Sequence, residues 1–440
     1  MQKSTKIKIE KIIKKSKKII PGGGTMLFSK IPENFLKKGW PSYYKKTKDI
    51  HLWDLNGKKY LDFYFGVGQS TLGYNNSIID NAVRKCIDAG NMSTLSCPEE
   101  LSLAEKMLEM NQWAQMSRFA RTGGEANSIA IRIARAKSRK DQVAICGYHG
   151  WHDWYLSANL KNKKNLNNLL MKGLDAKGVP KVLEKTVKTF EYNNIDSFYD
   201  VIKKNDIGVV KMEVMRNVIP KNYFLNEISD ICKKKKIVLI FDECTTGFRE
   251  TYGGLYKKFN VIPDIVIYGK ALGNGYAITS IVGKGSVMKE ANNTFISSTF
   301  WTERIGYVAA LKTLDEMKKI QSWKILTNNG RKIKNLWKDL SKKNDLKTII
   351  SGLDALPSIN FDTKDNLKYK SFITQEMLKH QILASNVVFT SILHKGANFE
   401  RYKKKLSEVF NKIGKFEKKD ASINKFIKGN VCRSGFGRMN

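Results

Sequence analysis

The hydrophobic and polar positions change their rhythm along the chain. Near the start, "IHLWDL" and "KKYLDFYF" flank Asn56-Gly57, the dipeptide that best closes a two-residue hairpin. From about residue 65 to 315, short apolar runs alternate with stretches of helical period. "QVAICG", "IGVVKMEV", "KKIVLIFDE" and "PDIVIYGK" read as buried strands, and "EANSIAIRIARAKS" and "FLNEISDICKKKK" as amphipathic helices. Strands alternating with helices predict an α/β fold: a mostly parallel sheet covered by helices, with ligands gathered beyond the carboxyl ends of its strands. Residues 155–190 interrupt the rhythm with a polar, Asn/Lys-rich stretch, either an inert insertion or a cover over a site. The last 110 or so residues return to helical period with weaker strands, as a smaller α+β unit would. The expected division is a segment at 1–64, a large domain at 65–315 and a small domain at 316–440. No internal repeat is visible.

Composition narrows the classes. A chain of 440 residues with 42% apolar content buries a large core. No apolar run approaches the ~20 residues needed to span a bilayer. The basic opening segment lacks a continuous apolar stretch and a small-residue cleavage site, which predicts no secretory signal. The six cysteines, at 86, 97, 146, 232, 244 and 432, show no paired spacing, as expected for reduced thiols in the cytoplasm.

The formal net charge is +37, yet lysine far outnumbers arginine and is spread along the chain. Base readout and bidentate phosphate contacts favour arginine, and no helix-turn-helix, zinc-finger or RNA-binding signature is present. The expectation is a solvated lysine-rich surface with no specific nucleic-acid partner and some general attraction for anions.

Four features at strand ends or helix starts carry candidate chemistry. In "ARTGGEANSIAIRIAR", Thr122, Gly123 and Gly124 precede a helix; such a start is a simple turn or a cradle for phosphate. In "CGYHGWHD", Tyr148 and His149 follow a strand, where an aromatic ring packs in the core or stacks on a planar ligand. His149 and His152 are too few ligands for a metal site, and none is expected. Asp242 and Glu243 end "KKIVLIFDE"; a carboxylate at the floor of an apolar cleft is costly unless a cation or proton meets it. In "IVIYGKALGNGY", Lys270 ends a buried strand beside glycines. A lysine there either snorkels to water or loses preference for its charged form and becomes a nucleophile toward aldehydes. Together these features match what pyridoxal 5′-phosphate (PLP) needs: an imine-forming lysine, a carboxylate for the ring nitrogen, an aromatic face and a phosphate cradle.

With these residues in place, the sequence resembles the class III, fold-type I PLP-dependent aminotransferases, most of all their glutamate-1-semialdehyde 2,1-aminomutase-like branch. "IFDECTTGFRETYGG" and "YGKALGNGY" carry the resemblance most specifically, and "GYHG", "GLDAKGVPK" and "FISSTFWTERIG" extend it. It implies a large domain with a seven-stranded type of sheet and a small α+β domain built from both termini. It implies that Lys270 is the Schiff-base lysine and general base, that Asp242 pairs with the pyridinium nitrogen, and that Tyr148 lies on one ring face. Cys244 would face the other side, where the family more often has valine. Thr122, Gly123 and Gly124 match the family's Ser-Gly-Thr phosphate loop. His149 and Glu213 belong to the same cofactor site, although Val214 replaces the proline that usually follows the glutamate. Thr299 matches a threonine that reaches the phosphate of a neighbouring subunit, implying a homodimer with shared sites.

One departure bears on substrate. The aminomutases carry an arginine after "PGG" for the substrate carboxylate; here Ser29 occupies the aligned position, with Lys30 next. Lysine does not reproduce a bidentate grip. The expected activity is therefore transfer of an amino group between a donor and a small aldehyde or ketone acceptor. The alternatives are the aminomutase reaction itself, a PLP-dependent lyase or racemase, and a non-catalytic basic binding protein.

Overall fold

The computed structural model describes residues 2–21, 35–36, 39–167, 169, 172–221, 223–418 and 422–433. The strands in chain order are β1 (Tyr44–Lys48), β2 (His51–Asp54), β3 (Lys59–Asp62), β4 (Met116–Ala120), β5 (Gln142–Cys146), β6 (Val187–Thr189), β7 (Ile207–Met212), β8 (Val238–Glu243), β9 (Ile265–Tyr268), β10 (Thr279–Gly283), β11 (Thr348–Leu353), β12 (Leu356–Phe361) and β13 (Ile382–Leu383). They fall into two units, one formed by residues 77–324 and the other by both ends of the chain, 1–76 and 325–440.

The larger unit is built on a seven-stranded sheet of order β4-β10-β9-β8-β7-β5-β6. β9, β8, β7, β5 and β6 pair in parallel, and β10 runs antiparallel to both β9 and β4. Six of the seven strands therefore end at one edge. Strands β7, β8, β9 and β10 are buried at every position, as expected where helices cover both faces. The helix Gly123–Ser138 lays Ile129, Ile133 and Ala134 against the sheet's Ile145, Val209, Ile240 and Ile267.

Three strands depart from the alternation seen in the sequence. β6 is only three residues, with a lysine at its centre, and sits inside the 155–190 stretch read as an interruption. That stretch is not a surface appendage: Leu166 is fully buried and Leu174 nearly so, both in the same core as the sheet. Asn159 ties them together, donating to the Leu174 carbonyl and accepting from the Leu166 amide at 2.8 and 2.9 Å. In β4 (MSRFA) and β10 (TSIVG) polar residues break or shorten the apolar run, so the pattern does not announce them.

The second unit is α+β. β1, β2 and β3 form an antiparallel meander, extended by β13 parallel to β3, and Asp54 accepts from the Asn56 and Lys58 amides to fix the predicted turn. β11 and β12 form a separate hairpin. The helices Asn366–Lys379 and Gly396–Glu417 contribute Phe372, Tyr402 and Phe410 to its core beside Phe63 and Trp337.

Candidate active site

The carboxyl edge of the large sheet collects the predicted residues. β4 runs through Arg121 into the helix Gly123–Ser138; β5 leads to Gly147, Tyr148 and His149; β7 to Glu213; β8 ends on Asp242 and Glu243; β9 leads through Gly269 to Lys270.

Lys270 stands at a strained place. Its φ is +37°, in the left-handed region that a side chain disfavours, so the surrounding structure must hold it there. Its Nζ donates to Thr245 Oγ1 at 3.0 Å. Burial, helped by the nearby Arg216 guanidinium, pushes the ammonium below its ordinary range, which favours the free amine. The snorkelling alternative is set aside by this inward hydrogen bond.

Asp242 is buried at 3% exposure, and its two oxygens are separately engaged. Oδ1 accepts from the Cys244 amide at 3.1 Å; Oδ2 lies 2.9 Å from His149 Nδ1 and 3.9 Å from Lys211 Nζ. Burial alone would raise this carboxyl, but the Lys211 charge and the His149 hydrogen bond overcome it and hold Asp242 far below the usual carboxylate range. An ionised carboxylate only accepts, so His149 Nδ1 carries the proton in this pair. His149 is itself wholly buried and pushed toward neutrality by that burial. It reaches the site through Asp242 rather than by facing open space.

Tyr148 is half-buried, and its placement depends on Glu213. The Tyr148 amide donates to Glu213 Oε2 at 3.1 Å, while Arg216 donates to the other oxygen of the same carboxylate. Gly147 makes this possible. With φ at +122°, a Cβ there would meet Glu213 Oε2 at 2.8 Å. Glu213 thus ties the Tyr148 backbone to Arg216, with valine following it.

At the start of the helix Gly123–Ser138, Thr122 forms a capping box with Glu125, which satisfies the Thr122 and Glu125 amides. The Gly123 and Gly124 amides, which the capping box leaves out, sit at the positive end of the helix dipole, the arrangement that binds phosphate. A Cβ on Gly124 would meet the His152 ring at 2.5 Å, so only glycine allows this packing. Cys244 Sγ reaches the same place, 3.3 Å from where a Gly123 Cβ would stand and 3.2 Å from that of Gly269. Cys244 therefore lies between the helix start and the lysine, and burial raises its thiol well above the ordinary value.

Thr299, on a short helical turn at Thr299–Thr302, is exposed. No described contact brings it to Lys270. Ser29 and Lys30 lie outside the described residues. Among the described residues no group of histidine, cysteine and acidic side chains could hold a metal ion, and no helix is long and apolar enough to cross a membrane.

The sequence reading missed three residues. Thr245 Oγ1 is shared by Lys270 and Arg216, at 3.0 and 3.1 Å. Arg216 also lies with its guanidinium carbon 5.9 Å from the Tyr148 ring centre. Lys211 sits fully buried behind Asp242. "TT" after the Asp-Glu pair and "EVMR" after β7 were the available signals for the first two; a lysine inside an apolar strand was the signal for the third.

Glu243 has a different task from its neighbour. It is fully buried, accepts from the Tyr256 amide at 2.9 Å and from the Thr246 hydroxyl, and is pushed up to about 7, chiefly by burial. In the folded state it holds its proton more tightly than in the unfolded chain. Its contribution to stability is therefore intact below the ordinary carboxyl range and is lost as pH rises toward about 7. The expected result for Glu243→Gln is a flatter pH–stability curve, with the variant gaining on the wild type by on the order of 3 kcal/mol between pH 4 and 8. Chemical unfolding of the apo-protein across that range checks it.

A pyridoxal-type cofactor fits this chemistry: a depressed lysine amine, a carboxylate kept ionised, a half-buried aromatic face and helix-start amides lie on one sheet edge. Comparison with known proteins agrees. The family model for class-III aminotransferases matches residues 37–396. A 3-aminobutyryl-CoA aminotransferase of Cloacimonas acidaminovorans is 29% identical, over 84% of this chain and 88% of its own. A glutamate-1-semialdehyde 2,1-aminomutase of Methanocaldococcus jannaschii is 28% identical, over 92% and 98%. The fold is shared with the FumI protein of Sphingopyxis sp. MTA144, solved in its PLP internal aldimine form, at a TM-score of 0.84 and 20% identity over 95% of this chain and 99% of that one. With most of its length matched by the family model, the chain belongs to the class-III aminotransferases, PLP-dependent enzymes of fold type I.

Proposed function

We propose that this enzyme moves an amino group between an amino donor and a small carbonyl acceptor, at least one of which carries an anionic group. The observation that carries the reading is the Thr245 hydroxyl, which joins the Lys270 amine to the Arg216 guanidinium within a single side chain.

When bound, the cofactor supplies an electron sink for the carbanion formed at the substrate carbon. The rest falls to the chain. Lys270 would anchor the cofactor, and its amine would carry the proton from the substrate carbon and return it at the other end of the transfer. Thr245 keeps that amine aimed. Asp242, fixed by His149 and the Cys244 amide, would pair with the ring nitrogen, and Tyr148 and Cys244 would cover the ring. The Gly123 and Gly124 amides would take the phosphate, while Thr122, its amide and hydroxyl both engaged by Glu125, would fix the helix start that presents them. Arg216 presents a planar cation beside the reacting amine, suited to a carboxylate.

For Arg216→Gln we expect KM for carboxylate-bearing substrates to rise about 10- to 100-fold, with a smaller change for amines lacking a carboxylate. Equal effects on both classes would remove the assigned role. The overall reading is tested by screening amino donors through the change in cofactor absorption, and then carbonyl acceptors for return of the original spectrum. No responsive donor would end it.

A second reading is favoured by the likeness to the Methanocaldococcus jannaschii aminomutase, which extends over 98% of that protein. Incubation with glutamate-1-semialdehyde decides it: 5-aminolevulinate formed without an added donor means intramolecular transfer.

The reading includes a homodimer in which Thr299 reaches the partner's phosphate. Its support is an exposed position beside Phe300 and Phe295, which are 66% and 84% exposed. It also places the enzyme in the cytoplasm, in keeping with its six free cysteines.

A further inference from the structure

Lys211 is the least expected residue in the large unit. It sits in the middle of a sheet, on β7, wholly excluded from solvent, and its Nζ has no hydrogen-bond partner. A methionine or leucine would fill the same volume without the cost of burying an ammonium, several kcal/mol when unpaired. The register explains what it meets. Lys211 pairs with Ile240 of β8, and Asp242 lies two residues further along on the same sheet face. The lysine is therefore one pleat deeper than the carboxylate and points up at it, with Nζ 3.9 Å from Oδ2. The other groups facing this pair are His149 from the loop after β5, Glu213 at the end of β7 and Cys244 after β8. His149 is held neutral by burial.

We propose that Lys211 is a positioning residue for the cofactor's ring nitrogen, pairing with Asp242 before the cofactor arrives and surrendering one proton when it binds. This rests on the reading that Asp242 faces that nitrogen.

The argument is one of charge balance. Without cofactor, one ammonium and one carboxylate share a dry space with neutral His149, Glu213 being matched by its ion pair with Arg216, and the pair is neutral. A protonated ring nitrogen adds a second cation to the same carboxylate. Two cations on one buried anion leave a net charge that the surroundings cannot solvate. The least costly response is for the deeper cation, which has no hydrogen bond to keep it, to lose its proton to the medium while the ring nitrogen keeps its own. Lys211 would thus set the proton cost of cofactor binding and make it pH-dependent. Below the range where Lys211 can give up its proton, it would weaken binding.

The test is titration calorimetry of the cofactor-free full chain with PLP at pH 7.5, in two buffers of different ionisation enthalpy, which counts the protons exchanged. Protons exchanged at Lys270 are common to wild type and variant and cancel in the difference. The wild type should release about one proton more than Lys211→Met. Equal counts would overturn the proposal, and a role in packing alone would give equal counts. Lys211→Gln, which keeps a polar side chain of similar reach, serves the same measurement if the methionine variant does not fold. A second measurement is independent of the cofactor. Asp242→Asn should strand the ammonium and lower the unfolding temperature of the apo-protein, and adding Lys211→Met should raise it again. A double variant less stable than Asp242→Asn alone would show that no ion pair exists. Failure of the underlying reading looks different: Asp242→Asn would then bind PLP as tightly as the wild type.

Discussion

Lys270→Ala is expected to lower turnover by roughly 10³-fold or more, because both the covalent anchor and the proton-transferring amine are removed at once. The loss should appear in kcat, with the protein still folded. The deletion removes a buried amine whose charged form burial already disfavours, and its hydrogen bond to Thr245 is its single described polar tie. The positive φ at this residue makes alanine no worse than lysine for the backbone, so a collapse of stability is not expected. Steady-state kinetics beside a thermal unfolding scan separates the two effects. Near wild-type turnover would mean that the amine is not the one used.

Asp242→Ala has the second largest expected effect, and of a different kind. Truncation leaves His149 Nδ1–H without its acceptor and Lys211 without its counter-charge, both in the core. Breaking a buried pair by removing one partner costs about 3–5 kcal/mol. Cofactor affinity should fall about 10²-fold or more as the ring nitrogen loses its carboxylate, and proton abstraction should slow at saturating cofactor. Measuring PLP affinity and single-turnover rates for the same variant checks both parts. Unchanged affinity would remove Asp242 from the ring nitrogen.

These two residues were readable in the sequence for a physical reason. Each follows a continuous apolar run that can only be a covered strand, and an ionisable group at such an end needs a purpose. The parallel sheet was legible on the same grounds. What was not legible depended on neighbours in space. Lys211 lies within "IGVVKMEV", where one lysine does not disturb an apolar run, and only the pairing with Ile240 reveals that it shares a face with Asp242. Arg216 sits in an irregular segment after β7, where no period marks which side chains turn inward. Thr245 became visible through two donors from distant parts of the chain. β6 escaped because three residues with a central lysine carry no alternation, and Leu166 and Leu174 were hidden among the asparagines and lysines around them.

The proposed substrate contact rests on Arg216, whose partners divide its work. Glu213 accepts from one edge of the guanidinium and at the same time from the Tyr148 amide, so the cation and the aromatic face are positioned by one carboxylate. A bidentate cation already set in place spends little conformational entropy on binding an acid group. Replacement by lysine should therefore recover only part of the affinity lost in the glutamine variant.

The most direct measurement is borohydride reduction of the purified enzyme with its cofactor, followed by peptide mapping. The account predicts one stable phosphopyridoxyl tag, on the peptide that contains Lys270. A tag on another lysine, or none, would contradict it.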